Sequence, residues 1–199
     1  MIFKRKIYAE LLNWKQESSG RTALLIEGAR RVGKSTVAEE FARQEYDDYL
    51  LLDFSKASPA LKQNFIDNIG DLQVFFRNLY LLTGKELKKN ALIIFDEVQF
   101  FPQARQAIKH LVKDGRFHYL ETGSLISINK NVRDILIPSE EEPLKMFPMD
   151  FEEFLWAVGN TVTIPAIEDA FHAGKPLGDA LHRKIMEQFR TYMAVGGMP

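Results

Sequence analysis

Residues 28–36 read GARRVGKST and follow the apolar run Ala23-Leu24-Leu25-Ile26, and no other stretch restricts the fold as tightly. The spacing G-x-x-x-x-G-K-[ST] is met with Gly28, Gly33, Lys34 and Ser35 in the fixed places. Glycine lets the backbone turn where a side chain would clash, so that successive N–H groups can point inward at an anion. The pattern Val37, Ala38, Phe41, Ala42 then predicts a helix whose positive N-terminus faces the same point. Lys34 can reach the β- and γ-phosphates of a nucleotide as a point charge, and the Ser35 hydroxyl can ligate Mg²⁺. The expected phosphate-binding set is Gly28, Ala29, Arg30, Arg31, Val32, Gly33, Lys34, Ser35 and Thr36.

Further strands and helices alternate on either side of this loop. Residues 3–19 carry Ile7, Leu11, Leu12 and Trp14 near helical spacing, with Trp14 expected in a core. Strands are expected over 22–27, 49–54, 91–95 and 117–121, the first and third of them short apolar runs of the kind buried in a sheet. Pro59 and Pro102 open helices, Asp71 caps another over 72–82, and Gly84 and Gly115 close two of them. Residues 125–143 read as irregular, with the acidic run Ser139-Glu140-Glu141-Glu142 as a solvated loop and a short fifth strand over 144–147. After Pro148 the pattern turns helical, opening on the capping box Asp150-Phe151-Glu152-Glu153 and continuing over about 165–173 and 179–195. The expected division is 1–148 and 149–199. Alternating strands and helices imply right-handed crossovers and a parallel sheet with its functional groups at the carboxyl ends of the strands.

A second group of polar residues sits at those ends. ALIIFDEVQ places Asp96 and Glu97 where a buried strand stops, the position at which a Mg²⁺ shell beside the phosphate loop needs an acid. The expected metal residues are Ser35 and Asp96, the latter acting through water. The expected catalytic residues are Lys34, Glu97 and Ser124, with Glu97 orienting or deprotonating a water for in-line attack. Thr122 and Ser124 follow the next strand; if that strand lies between the first and third, their hydroxyls approach the γ-phosphate and could sense hydrolysis, and Gln99 could contribute likewise, more weakly. Kinase-type transfer needs an acceptor pocket, and no stretch marks one.

Composition narrows the rest. A net charge of −1 gives no global attraction to nucleic acid or an anionic membrane, so Lys4-Arg5-Lys6, Arg30-Arg31 and Lys88-Lys89 are expected to be solvated faces. The absence of cysteine excludes disulfides, thiol catalysis and Cys-ligated metals. His110, His118, His172 and His182 lack metal-ligand spacing. No apolar run approaches the roughly 18 residues of a membrane span. A cytoplasmic protein with no membrane partner is the expectation.

GARRVGKST, LIIFDEVQ, ETGSL and KMFPMDFEEFLWAVG, in that order, resemble the AAA-superfamily P-loop ATPases of bacteria and archaea that join an N-terminal ATPase domain to a C-terminal domain of unassigned function. The terminal YMAVGGMP strengthens that resemblance. It implies an α/β, three-layer P-loop NTPase fold with a mostly parallel sheet of order 5-1-4-3-2 and a partial C-terminal helical segment or lid. It also implies ATP as the nucleotide, Mg²⁺ as its ion, and the chain as a fragment whose missing C-terminal region would meet a protein or DNA partner. Where the family's usual loop has Gln, this chain has Arg31. A homo-oligomer supplying an arginine finger is a further implication; Arg105, Arg116 and Arg133 are candidates for it, although each also reads as a surface residue. The reading is Mg²⁺-dependent ATP hydrolysis coupled to conformational change, and the alternative is an ATP-gated signalling or DNA/protein-binding switch with little turnover.

Overall fold

The computed structural model describes residues 3–124 and 139–199, so the arginine-finger candidate Arg133 lies outside the described residues. The chain divides into two compact units, Ile7–Met146 and Met1–Lys6 with Phe147–Pro199.

In the first unit the apolar runs become β1 (Ala23–Gly28), β2 (Tyr49–Asp53), β3 (Leu92–Asp96) and β4 (His118–Ser124). With β5 (Glu141–Met146) they form one sheet of order β2-β3-β4-β1-β5 in which every neighbouring pair is parallel. Read from the other edge this is 5-1-4-3-2, the order the resemblance implies. Strands apolar on both faces need cover on both, and five helices supply it. They are α1 (Ile7–Ser18), α2 (Lys34–Glu45), α3 (Pro59–Asn68), α4 (Leu72–Thr83) and α5 (Pro102–Asp114). On one face Leu24, Ile26, Ile94 and Leu120 cluster with Leu11 and Trp14 of α1 and Val37 and Phe41 of α2. On the other, Leu25, Ile93, Phe95 and Tyr119 cluster with Phe65 of α3, Phe75 of α4 and Ile108 of α5. Phe65 and Phe75 meet edge to face at 4.9 Å, and Phe54 meets Phe95 at 5.5 Å. Such ring pairs contribute about 0.5–1.5 kcal/mol beyond the area they bury. Three layers result, with the carboxyl ends of all the strands along one edge.

Two expectations fail here for one reason. The run 139–142 is not wholly a solvated loop: Glu141 begins β5, opposite Ala23, and the strand ends at Met146 rather than Phe147. Arg105 is neither a surface residue nor a spare cation; it is buried on α5, with Nε and Nη2 at 2.6 and 2.5 Å from the Glu141 carboxylate. A bidentate guanidinium–carboxylate pair lets an acidic residue start a strand, and its two halves lie 36 positions apart, beyond the reach of local pattern. Arg116 is likewise engaged, bonded to Asp114 and lying over the Phe76 ring.

Beside this pair Glu121 is fully buried in β4, with its carboxyl against that of Glu141. Burial first, then the charge of Glu141, pushes its carboxyl well above the ordinary 4.5, against the opposing pull of Arg105. The folded chain therefore keeps a proton that the unfolded chain releases above about pH 4.5, and stability falls as pH rises from there. Glu121→Gln, which is neutral at every pH, should melt with the parent near pH 4 and progressively above it toward pH 8. The expected gain is roughly 1–3 kcal/mol. A constant or shrinking difference between the two thermal melts contradicts this.

In the second unit α6 (Phe151–Ala157) opens on the expected capping box, with Glu153 N donating to Asp150 Oδ1 at 2.9 Å and Asp150 N to Glu153 Oε2 at 3.2 Å. The helices α7 (Thr163–Ala173) and α8 (Asp179–Val195) follow. Residues 3–6 join this unit rather than extending α1, and Lys4-Arg5-Lys6 is not a uniformly solvated face. Arg5 is buried with Nε 3.1 Å from Glu153, and Lys6 bridges Asp150 and Glu152. Gly197 O accepts from Met149 N at 2.7 Å, which folds the terminal residues back onto the unit. Among the described residues no helix is long and apolar enough to cross a membrane.

Candidate functional site

The loop after β1 is shaped by two glycines for different reasons. Gly28 pairs with Ser124 on one side and Met146 on the other, and a Cβ there would lie 2.2 Å from the Met146 carbonyl oxygen. Because that neighbour is backbone of β5, a side chain cannot be accommodated by a rotamer change. Gly28→Ala should force β1 and β5 apart and cost about 1–3 kcal/mol or more, read by urea denaturation. An unshifted midpoint would show that the sheet edge yields freely. Gly33 has φ 94° and ψ 20°, the left-handed conformation that turns the chain into α2 at Lys34. Arg31 shares that conformation at φ 65°, so an arginine takes on the strain within the loop itself.

Lys34 is the first residue of α2 and only 5% exposed. Its ammonium turns back over the loop, donating to Ala29 O at 2.8 Å and Gly28 O at 3.4 Å. Burial holds its pKa below 10.5; Glu97 and Asp96 oppose that fall and Arg30 adds to it. A desolvated cation held by neutral carbonyls, at a helix N-terminus and with two acids in electrostatic range, suits an incoming polyanion.

The acids come from the end of β3. Ser35 Oγ donates to Asp96 Oδ1 at 2.6 Å, and Thr122 Oγ1 donates to the same oxygen at 2.5 Å. Thr122 also accepts from Glu97 N at 3.1 Å, so the hydroxyl expected to face a γ-phosphate is committed to the acid pair instead. Glu97 sits at φ 56° and ψ 48° at the head of a 3-10 turn, Val98–Phe100. A non-glycine residue held there costs on the order of 1–3 kcal/mol, which the Thr122 anchor and the turn's own bonds offset. Gln99 accepts from Ser124 N at 3.2 Å and donates to the Glu97 carboxylate.

The structure thus brings Lys34, Ser35, Asp96, Glu97, Thr122 and Ser124 to the carboxyl edge of one sheet. Sequence reasoning undervalued Gln99; its signal was an amide two residues beyond Glu97, at the spacing a tight turn folds together. The oxygen donors Ser35 Oγ and the Asp96 carboxylate are hard and already converge on one point, as Mg²⁺ requires. Among the described residues no group of three or more His, Cys, Asp or Glu forms a metal cage. Mg²⁺ held jointly with substrate phosphates needs only one or two protein ligands, so the donor set fits that ion and no closed structural site.

Comparison with known proteins bears on the fold and the family. A family model described as an AAA domain matches residues 20–155, more than half of the chain. Among solved structures, the fold is similar to that of the Aeropyrum pernix ORC1 protein in complex with DNA, at TM-score 0.50 and 12% identity, over 77% of this chain and 47% of that one. It also overlaps Drosophila ORC bound to AT-rich DNA and Cdc6, at TM-score 0.47 and 11% identity, over 82% of this chain and 61% of that one. The chain spans about half the length of the first. No curated protein matched.

Proposed function

This chain belongs to the AAA domain family, and on that premise we propose that it binds ATP with Mg²⁺ at the Gly28–Thr36 loop and transfers the γ-phosphoryl group to water. Nucleotide binding in general follows from the family and the fold. The observation that carries the finer reading is the pairing of a buried Lys34 with adjacent acids at the end of β3, one tied to Ser35 and the other not. Lys34 would leave the Ala29 carbonyl for phosphate oxygens and neutralise charge that grows on them during transfer. Mg²⁺, when bound, would neutralise the phosphate oxygens as a Lewis acid, with Ser35 Oγ and Asp96 as the residues that hold it. Thr122 fixes Asp96 through its hydroxyl and Glu97 through the backbone, so the two acids keep separate orientations. Glu97 would orient the attacking water and take its proton as the new O–P bond forms and the bond to the bridging oxygen of the leaving ADP breaks. Ser124, opposite Gly28 at the end of β4, would register the γ-phosphate. A homo-oligomer would supply the arginine that Arg105, ion-paired with Glu141, does not.

A second reading has its own observation. Arg105, a candidate arginine finger, is committed to Glu141, as expected of a chain that binds ATP and by itself turns it over slowly. In that case ATP would gate docking on a protein or on DNA, the ligand of the Aeropyrum pernix relative. Single-turnover phosphate release from the isolated chain separates the two. A rate well above spontaneous hydrolysis supports the enzyme, and a rate equal to it supports the switch.

A further inference from the structure

Gln99 sits in the 3-10 turn that begins at Glu97, and its side chain is buried between two groups whose hydrogen-bonding roles are fixed. On one side is the Ser124 backbone N–H, which can only donate; it gives its proton to Gln99 Oε1 at 3.2 Å. On the other is the Glu97 carboxylate, which when ionised can only accept, and Gln99 Nε2 donates to it. The amide offers its acceptor on one atom and its donors on another, and both neighbours demand the same orientation of it. Flipping the amide would face donor to donor and acceptor to acceptor. Gln99 therefore has a unique pose, and that pose ties the end of β3 to the end of β4.

The backbone of Glu97 is already anchored by Thr122 and by Phe100 N, which donates to Glu97 O at 3.0 Å. What those bonds leave undetermined is the direction of the carboxylate. We propose that Gln99 is a positioning residue that aims the Glu97 carboxylate and makes that aim depend on where Ser124 lies. This inference rests on the reading of Glu97 as the residue that orients water. A shift of Ser124 toward or away from a γ-phosphate would pull on the Gln99 oxygen and turn its nitrogen, and with it the carboxylate. Gln99 itself would not touch nucleotide.

The test uses Gln99→Met, which keeps the volume and loses the hydrogen bonds to Glu97 and Ser124, and Gln99→Asn, which keeps an amide one methylene too short to span those two partners. Single-turnover hydrolysis of ATP should slow about 10- to 100-fold in each, the range set by misplacing a catalytic group by about 1 Å. Affinity for a non-hydrolysable ATP analogue should stay unchanged. In a Glu97→Asp background, whose carboxylate is already withdrawn from the amide, adding Gln99→Met should bring no further loss. An unchanged rate in both Gln99 variants, or an equal loss from Gln99→Met in the parent and in the Glu97→Asp background, overturns the proposal. Glu97→Gln provides the separate control. Turnover equal to that of the parent in that variant removes the hydrolysis reading, and this inference with it. A slow Glu97→Gln beside unaffected Gln99 variants removes this inference alone.

Discussion

Lys34→Ala should abolish measurable ATP binding. The ammonium is buried and bonded to Ala29 O and Gly28 O, so a phosphate chain would find its charge desolvated and already in place. Truncating a buried charge partner of this kind costs about 2–5 kcal/mol, or roughly 30-fold to several-thousand-fold in Kd. The loss should not be one of folding. Because the folded pKa of Lys34 lies below 10.5, the folded chain binds fewer protons than the unfolded chain between the two values, and stability grows as pH rises through that window. Below the window, at neutral pH, the charged side chain opposes folding. Its removal should therefore leave the melting temperature unchanged or higher while binding disappears. Unchanged affinity by calorimetry would sink the assignment of this loop.

Glu97→Gln should do the reverse, leaving ATP affinity intact and removing turnover. The side chain is isosteric, and its carboxylate makes no bond to Ser35 or Lys34, so the phosphate loop keeps its geometry. What is lost is the group that takes a proton from water, a contribution of about 10²- to 10⁴-fold in kcat. Single-turnover phosphate release reads it directly. A variant that releases phosphate as fast as the parent would show that water is oriented by another group. Weaker ATP binding in the variant would place Glu97 in ground-state recognition instead.

Together these outcomes would divide the site into a pole that holds phosphate and a pole that handles water, and the two differ in how far local pattern reveals them. The phosphate pole is legible because its chemistry is written in nine consecutive residues and its strand is a continuous apolar run. The same is true of β3, where burial on both faces leaves an apolar stretch bounded by turn residues, while the edge strand β2 alternates between buried and half-buried positions. Of the fifth strand only the second half was legible, since Glu141 at its start is paired with the distant Arg105 and an acidic run before proline reads locally as loop. The start of α1 was misplaced because Arg5 follows Glu153 into the second unit, a contact spanning most of the chain. At the water pole Asp96 and Glu97 could be picked from strand-end acidity alone. Gln99 could not be ranked, because its partners are a backbone N–H on another strand and a carboxylate turned by a left-handed residue.

The most direct measurement is a crystal structure of the chain with Mg²⁺ and a non-hydrolysable ATP analogue. It should show Lys34 Nζ released from Ala29 O and bonded to β- and γ-phosphate oxygens, with the cation on Ser35 Oγ and Asp96 at its shell. It should also show a water between the γ-phosphate and Glu97. Nucleotide bound away from the loop, or Lys34 still turned back on Ala29 with the analogue present, would contradict the account.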